Sequence, residues 1–466
     1  MTEPSSHATP AFQRFNVRAF LIVLLLAVML RAFLWIAYRP VPYSDTSSYR
    51  RTALAIRQDW NVDGTRTPGY PIFLLPFRPE ADGWEQRAWL GQMALGVMVT
   101  GLLFFLGWLA TGKNWGGIVA GLAYTLNLQQ VFFECNLITE ALTTFFLTLT
   151  LAGVALWLYR PASRSSAFAL AVGLAAALTA IVRPLFVFLP VWIALFFLLP
   201  PEGHKLTLQR TVSGLRQVTI FLLPTLLIVG GWVWFVHDRY GNWSMTTMGG
   251  YHMIQHTGEY FEYVPDEYAV IRDTYLRYRD VKVAETGTPT NAIWEAIPEM
   301  TQASGIGFYD LSDKLMEISV QLIRQHPDLY LKNAFEGWWM FWRAPVYWSA
   351  DALRWPALAA PLRVSVFAER VLLFAANMIF LALSAGMLLF WLFGRVRPLR
   401  GLKVGRRSFS VRPSTFSVFL ASALWVCSVF QTLLDHGDNP RFLVPLQTAV
   451  VLWLVMLVGK SQAENR

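Results

Sequence analysis

Ala19-Phe20-Leu21-Ile22-Val23-Leu24-Leu25-Leu26-Ala27-Val28-Met29-Leu30-Arg31-Ala32-Phe33-Leu34-Trp35-Ile36-Ala37-Tyr38, followed by Arg39-Pro40-Val41-Pro42-Tyr43-Ser44-Asp45-Thr46-Ser47-Ser48-Tyr49, decides the fold of this chain. An apolar run of about 20 residues is long enough for one membrane crossing. Arg14 and Arg18 precede it and no small-residue cleavage site follows. It therefore reads as a retained first helix with the N-terminus inside, not as a signal peptide. The polar stretch puts a carboxylate, Asp45, a few residues past that crossing. Basic residues follow, then the turn Thr65-Arg66-Thr67-Pro68-Gly69-Tyr70-Pro71. A charged, shaped surface at a membrane boundary is what chemistry on a lipid-linked substrate needs.

The rest of the chain repeats the apolar theme. It has 466 residues, 55% hydrophobic and only 15% charged, with a mean hydropathy of +0.40. A soluble protein carries roughly a quarter charged residues. Apolar runs near 19–38, 88–110, 116–134, 138–159, 167–182, 184–200, 218–236, 366–392, 414–434 and 442–459 predict about ten spans. The expected fold is an all-α polytopic membrane protein, with interfacial helices in the first outside loop and a small, mainly helical outside domain. Three parts follow: 1–236 with the loop 39–87, the outside domain 237–365, and the last spans in 366–466. The net charge of +9 fits basic loops held at anionic headgroups and gives no reason to invoke nucleic acid. Cys135 and Cys427 read as buried free thiols. Walker, GxSxG, HExxH and dinucleotide motifs are missing from the sequence.

Charge sets the orientation. With the N-terminus inside, the inside segments hold Arg14, Arg18, Lys113, Arg160, Arg164, Lys205, Arg210, Arg216, Lys460 and Arg466, and the cluster Arg395, Arg397, Arg400, Lys403, Arg406, Arg407 and Arg412. Both termini are then cytoplasmic. The first outside loop breaks the rule with Arg39, Arg50, Arg51, Arg57, Arg66, Arg78 and Arg87. Counter-charges and headgroup contact are one explanation, and a bound phosphate is the other. In the outside domain, Leu311, Leu315, Ile318, Leu322 and Ile323 have helical spacing, His326-Pro327-Asp328 marks a helix boundary, and Trp338 to Trp348 reads as an interfacial aromatic belt.

Several residues could carry chemistry, each with a plainer alternative. Asp45 opens a helix expected over 46–60, where Ser44 or Asp45 is either its N-cap or, for Asp45, a general base. Glu140 is a solvated helix end or a second acid in a cavity. Arg183-Pro184 breaks two apolar runs, so Arg183 pairs with Glu140 or Glu134, or donates to an anionic leaving group. Arg31, within the first span, snorkels or pairs. Arg66 is held by its Pro/Gly turn. Asp435-His436-Gly437-Asp438-Asn439-Pro440-Arg441 is a tight turn, or a lid delivering Arg441 or His436 to the same place. His252 and His256 have a spacing that could suit a metal, but no carboxylate motif supports one.

Taken in order, these residues resemble the GT-C superfamily of membrane glycosyltransferases, above all glycosyltransferase family 39 and the lipid A aminoarabinose transferases. The matching elements are Arg31, Pro42-Tyr43-Ser44-Asp45 with Tyr49, Arg66-Thr67-Pro68-Gly69-Tyr70-Pro71, Thr139-Glu140-Ala141-Leu142, Leu178 to Pro184, and Gly437-Asp438-Asn439-Pro440-Arg441-Phe442. The resemblance implies a polyprenyl-phosphate-sugar donor, a protein, lipid or polysaccharide acceptor, and transfer with inversion on the outer face of the cytoplasmic membrane. Asp45 matches the family's base and Glu140 its second acidic position. Many members carry another acid directly after that Asp, where Thr46 stands here. Arg66, Arg183 and Arg441 are then the donor-phosphate candidates, and Tyr49, Tyr70, His252 and Asp438 the substrate-binding ones. No metal or other cofactor is assigned. The rival readings are a transporter or flippase of lipid-linked saccharides, and a non-catalytic protein that binds them.

Overall fold

The computed structural model describes residues 13–160, 164–198, 208–396, 403–404, 407–408, 414–437 and 439–463. Asp438, and Lys205, Arg397, Arg400, Arg406, Arg412 and Arg466 of the basic segments, lie outside the described residues. Apart from the two-residue strand pair Lys403–Val404 and Arg407–Ser408, regular structure among the described residues is helical.

The helices in chain order are α1 (Val17–Ala37), α2 (Ser44–Gln58), α3 (Gly69–Leu74), α4 (Trp84–Thr111), α5 (Asn114–Thr125), α6 (Leu128–Cys135), α7 (Glu140–Tyr159) and α8 (Ser166–Val182). Next come α9 (Leu189–Phe197), α10 (Leu208–Thr225) and α11 (Gly231–Tyr240), the last two joined by a π turn over Leu226–Gly230. A helical unit follows, with α12 (Gly249–Thr257), α13 (Ala269–Thr286), α14 (Ala292–Ser304), α15 (Phe308–Gln325) and α16 (Pro327–Phe341). Then come α17 (Ala359–Val396), α18 (Thr415–Leu434), α19 (Asn439–Phe442) and α20 (Val444–Ala463).

The expectation of about ten spans is corrected. Among the described residues, six helical stretches are long and apolar enough to cross a membrane: Val17–Ala37, Trp84–Thr111, Glu140–Tyr159, Val212–Tyr240, Pro356–Phe393 and Thr415–Leu434. The chain is thus a polytopic helical membrane protein with fewer full-length apolar helices than its hydropathy suggests. The run 116–134 splits at Leu126 and Asn127. Its first part, α5, has 12 residues and reaches only about 18 Å. Its second part, α6, has eight. The side chain of Asn127 accepts from Gln130 N at 3.0 Å, and Glu369 of α17 accepts from Leu128 N at 2.8 Å and Gln129 N at 3.0 Å. Those carboxylate contacts satisfy the free N–H groups of a short helix start. Arg183-Pro184 similarly separates two shorter apolar helices, Ser166–Val182 and Pro184–Phe197, and Val444–Gly459 is a third. Apolarity set the windows, but capping and Pro set the breaks.

Packing follows from residue size and spacing. On α1, Val23, Ala27, Arg31 and Leu34 are buried, whereas Leu21, Ile22, Leu25 and Met29 on the other faces are exposed. One stripe meets protein and the rest has the apolar surface of a lipid-facing helix. Glycines let α4 and α5 approach closely: a Cβ on Gly107 would collide with the Gly116 carbonyl. The helical unit has its own core, in which Leu311, Leu315, Ile318 and Leu322 of α15 are fully buried with Tyr251 and Phe261; Ile323 is only partly buried. Pro327 opens α16 as its sequence predicts. The aromatic stretch after it docks as well as edges: Trp338 stacks on Trp425 of α18 at 5.6 Å and donates to Ser428 Oγ at 3.1 Å, and Trp342 is buried.

Arg31 finds its partner inside the bundle. Its Nη2 and Nε donate to the two carboxylate oxygens of Glu134 at 2.6 and 3.0 Å, and Tyr124 Oη donates to the same carboxylate at 2.9 Å. This fork geometry completes a buried pair and removes Glu134 from the partners open to Arg183. A Cβ on Gly96 would run into the Glu134 carboxylate. Gly96→Ala is therefore expected to cost up to about 3–5 kcal/mol, as for breaking a buried pair. Thermal unfolding in detergent measures it.

Candidate active site

Two loops bring the site's acids together. Val41 N donates to Cys135 O at 3.0 Å and Leu137 N to Val41 O at 3.2 Å, so residue 41 and residue 136 form a parallel bridge. Gln92 clamps the second loop, with Nε2 on the carbonyls of Glu134 and Asn136 at 2.8 Å each. Asp45 follows the first strand-like segment and Glu140 the second.

The helix after residue 43 runs Ser44–Gln58, shifted from the expected 46–60. Neither Ser44 nor Asp45 caps it. Tyr43 holds the N-cap position, and Thr46 Oγ1 accepts from Tyr43 N at 2.8 Å while donating to Leu137 O at 2.9 Å. Thr46 thus closes the helix start and ties it to the second loop. That frees the Asp45 carboxylate for side-chain partners.

Those partners come from distant parts of the chain. Asp45 Oδ1 accepts from Arg66 Nη2 at 2.7 Å, and Oδ2 accepts from Arg441 Nη1 at 2.9 Å. Arg441 Nε donates to Glu140 Oε1, which also accepts from Arg183 Nη1 at 2.9 Å. Arg66, Asp45, Arg441, Glu140 and Arg183 therefore alternate in sign along one continuous chain. Three guanidiniums face two carboxylates, leaving one formal positive charge. One end is open: the Arg66 and Asp45 side chains keep 27% and 23% of their exposure, against 6% and 0% for Arg183 and Glu140. Burial pushes the Asp45 carboxyl up, but Arg66 and Arg441 outweigh it and hold it below its ordinary value. Asp45 is thus ionised at neutral pH.

Backbone geometry aims the guanidiniums. Arg66 precedes Pro68, the N-cap of α3, and its Nε donates to Ser48 Oγ at 3.0 Å. Gly69 lies against the end of α8: a Cβ there would stand 2.7 Å from Ile181 O and Val182 N. The turn carrying Arg66 can sit beside Arg183 only because residue 69 has no side chain. Arg183, the C-cap of α8, lies over the Phe442 ring at 4.2 Å. Arg441 comes from the four-residue α19.

Of the remaining described candidates, Tyr49 and Tyr70 lie beside this chain. Tyr49 is buried beneath the Arg66 guanidinium, 5.2 Å from its ring centroid, and meets Tyr70 edge to face at 5.0 Å. Tyr70 is fully buried and donates to Gln92 Oε1 at 2.6 Å. His252 is not drawn into the chain of charges. Its Nδ1 stands 3.4 Å from Asp435 Oδ2, in the loop that leads to Arg441. His256 packs on His436 at 5.4 Å between ring centroids. No group of three or more His, Cys, Asp or Glu among the described residues is placed to hold a metal. Ser48, Phe442, Gln92 and Thr46 were not singled out as functional from sequence. Ser48 stands three positions from Asp45 on one helix face, Thr46 directly follows Asp45, and Phe442 closes the motif that carries Arg441; those are the signals they carry.

The His pair makes the loop before Arg441 pH-sensitive. Burial, then the adjacent His436, lowers the His256 imidazole to about 4, against a partial opposing pull from Asp435. Burial also lowers His436. A folded-state value below the ordinary 6.5 means that the unfolded chain binds the proton more readily. Stability from this contact is fully present above about 6.5 and falls away as pH drops towards about 4. His256→Gln is expected to flatten that acid limb of a melting-temperature profile. An unchanged profile would remove His256 as its cause.

No family model, no curated protein and no solved structure matches this chain.

Proposed function

We propose that this protein is an inverting glycosyltransferase. It takes a sugar from a polyprenyl-phosphate donor and places it on an acceptor hydroxyl at the outer face of the cytoplasmic membrane. The observation that carries the reading is the convergence of Asp45, Arg66, Glu140, Arg183 and Arg441 into one chain of alternating charge with its Asp45 and Arg66 end open. The outward orientation rests on the basic residues of the short inside loops.

The chemistry needs one displacement. The acceptor hydroxyl hydrogen-bonds to Asp45, and its oxygen attacks the anomeric carbon from the side opposite the phosphate. The bond from that carbon to the phosphate oxygen breaks, and the polyprenyl phosphate leaves with the bonding electrons. The acceptor proton passes to Asp45. In the resting chain two guanidiniums hold Asp45 ionised but weakly basic. A phosphate that draws Arg66 and Arg441 towards itself loosens that hold, so Asp45 becomes a stronger base as the donor binds. The surplus positive charge stabilises the leaving anion without a general acid. Glu140, with no exposed side-chain surface and two guanidiniums on one oxygen, positions Arg441 and Arg183 and does not reach a proton in the acceptor.

Mass spectrometry of envelope glycans and lipid-linked sugars, with and without active protein, tests this. Loss of activity should leave one glycan short of a sugar and its polyprenyl donor accumulated. Unchanged glycans and donor pools would defeat the proposal.

A further inference from the structure

Helix α2 has two different faces. Asp45, Ser48 and Tyr49 turn towards the charge chain and the core. Ser47, Arg50, Arg51 and Leu54 line a groove of about 600 Å³ whose other wall includes Tyr43, Trp84 and one carboxylate, Glu85, against the two guanidiniums. Asp45 and Leu54, nine positions apart, differ by ~180° around a helix at 3.6 residues per turn. The groove is thus separate from the charge chain.

Its position and the state of Arg50 point to one kind of occupant. Tyr43 comes just after α1 and Trp84 begins α4, two of the long apolar helices, so the groove sits where apolar span gives way to polar loop. Arg57 pairs with Glu80, and Arg51 reaches Asp63 at 3.7 Å. Arg50 is different. It is half-buried, lies over the Trp84 ring at 5.5 Å, and donates from Nε to the Pro79 carbonyl at 2.8 Å. No carboxylate pairs with it among the described residues. Trp84 is itself 3% exposed, and its buried indole N–H has no acceptor. A half-buried guanidinium without a carboxylate partner, at the wall of this groove, can take an acceptor from outside the chain.

We propose that this groove binds the phosphodiester headgroup of an anionic glycerophospholipid. The phosphate oxygens accept from the two Nη groups of Arg50, Ser47 reaches the headgroup, and the lipid's glycerol and upper acyl carbons lie along Tyr43, Leu54 and Trp84. The bound lipid holds the outer face of α2 and so steadies the helix that carries Asp45. This site does not depend on sugar transfer, and it stands or falls separately.

The full-length protein in a neutral detergent is titrated with dioctanoyl-phosphatidylglycerol while thermal unfolding is followed by tryptophan fluorescence. A saturable rise in melting temperature is expected. Arg50→Gln should raise the half-saturating concentration about tenfold or more, the effect of losing one charge-assisted contact. Arg57→Gln, which leaves the groove untouched, should keep the wild-type response. If Arg50→Gln does not fold, Arg50→Lys, which loses the guanidinium fork, should still raise half-saturation several-fold. The proposal is overturned by an unchanged titration in whichever Arg50 variant folds. It is equally overturned if dioctanoyl-phosphatidylcholine acts as well, or if glycerol 3-phosphate reproduces the shift at the same concentrations.

Discussion

Asp45→Asn is expected to lower the rate of sugar transfer by ~10²–10⁴-fold, the usual contribution of a positioned base, with the protein still inserted and folded. Asn keeps the shape and one acceptor oxygen but cannot take the proton. The substitution also removes one of the chain's two negative charges, the one that Arg66 and Arg441 share. Donor phosphate binding should therefore survive or tighten while turnover collapses. That split separates the assigned role from a structural one, since a merely misfolded variant would lose both. Steady-state transfer with a radiolabelled lipid-linked donor, beside equilibrium binding of the same donor, reads it. Normal turnover in Asp45→Asn would defeat the glycosyltransferase assignment.

Glu140→Gln should act on stability first. Glu140 is fully buried and its Oε1 takes both Arg183 and Arg441. Neutralising it leaves three guanidiniums facing one carboxylate. Removing one partner of a buried ion pair typically costs ~3–5 kcal/mol. The double variant Glu140→Gln with Arg183→Gln should recover part of that loss, because the stranded buried charge goes with its partner. A double variant no more stable than Glu140→Gln alone would mean that the two residues do not share this energy. The expected order, measured by thermal unfolding in detergent, is wild type, then the double variant, then Glu140→Gln.

Much of this was visible in residue types and their order. Long apolar runs with few charges demand a helical membrane protein, because backbone polar groups in lipid must be satisfied within the segment. The period of Leu311, Leu315, Ile318 and Leu322 predicted α15, and Pro327 predicted the start of α16. The number of long spans was not readable from hydropathy. A window over 116–134 sees only apolarity; it does not see that Asn127 and the distant Glu369 terminate one helix and start another. The plainer alternative, an N-cap at Ser44 or Asp45, gives way to Tyr43 for a similar reason. Thr46 satisfies the helix start from inside, through a contact to Leu137 that no local pattern records.

The sequence by itself determined that this chain is helical, membrane-spanning and supplied with Asp45, Arg66, Glu140, Arg183 and Arg441 at the edges of apolar runs. It did so because burying charge is costly, so charges at such edges stand out against their surroundings. Tertiary structure alone decided who pairs with whom. Glu134 went to Arg31, which left Glu140 for Arg183 and Arg441. Asp45 gained two guanidiniums from residues 21 and 396 positions away. His252 was drawn to Asp435 instead. Partner choice depends on the packing of a bridge at residues 41 and 136 and on a glycine at 69 that lets two turns touch. Such contacts join segments far apart in the chain, and their strength depends on distance and burial, which no spacing of letters encodes.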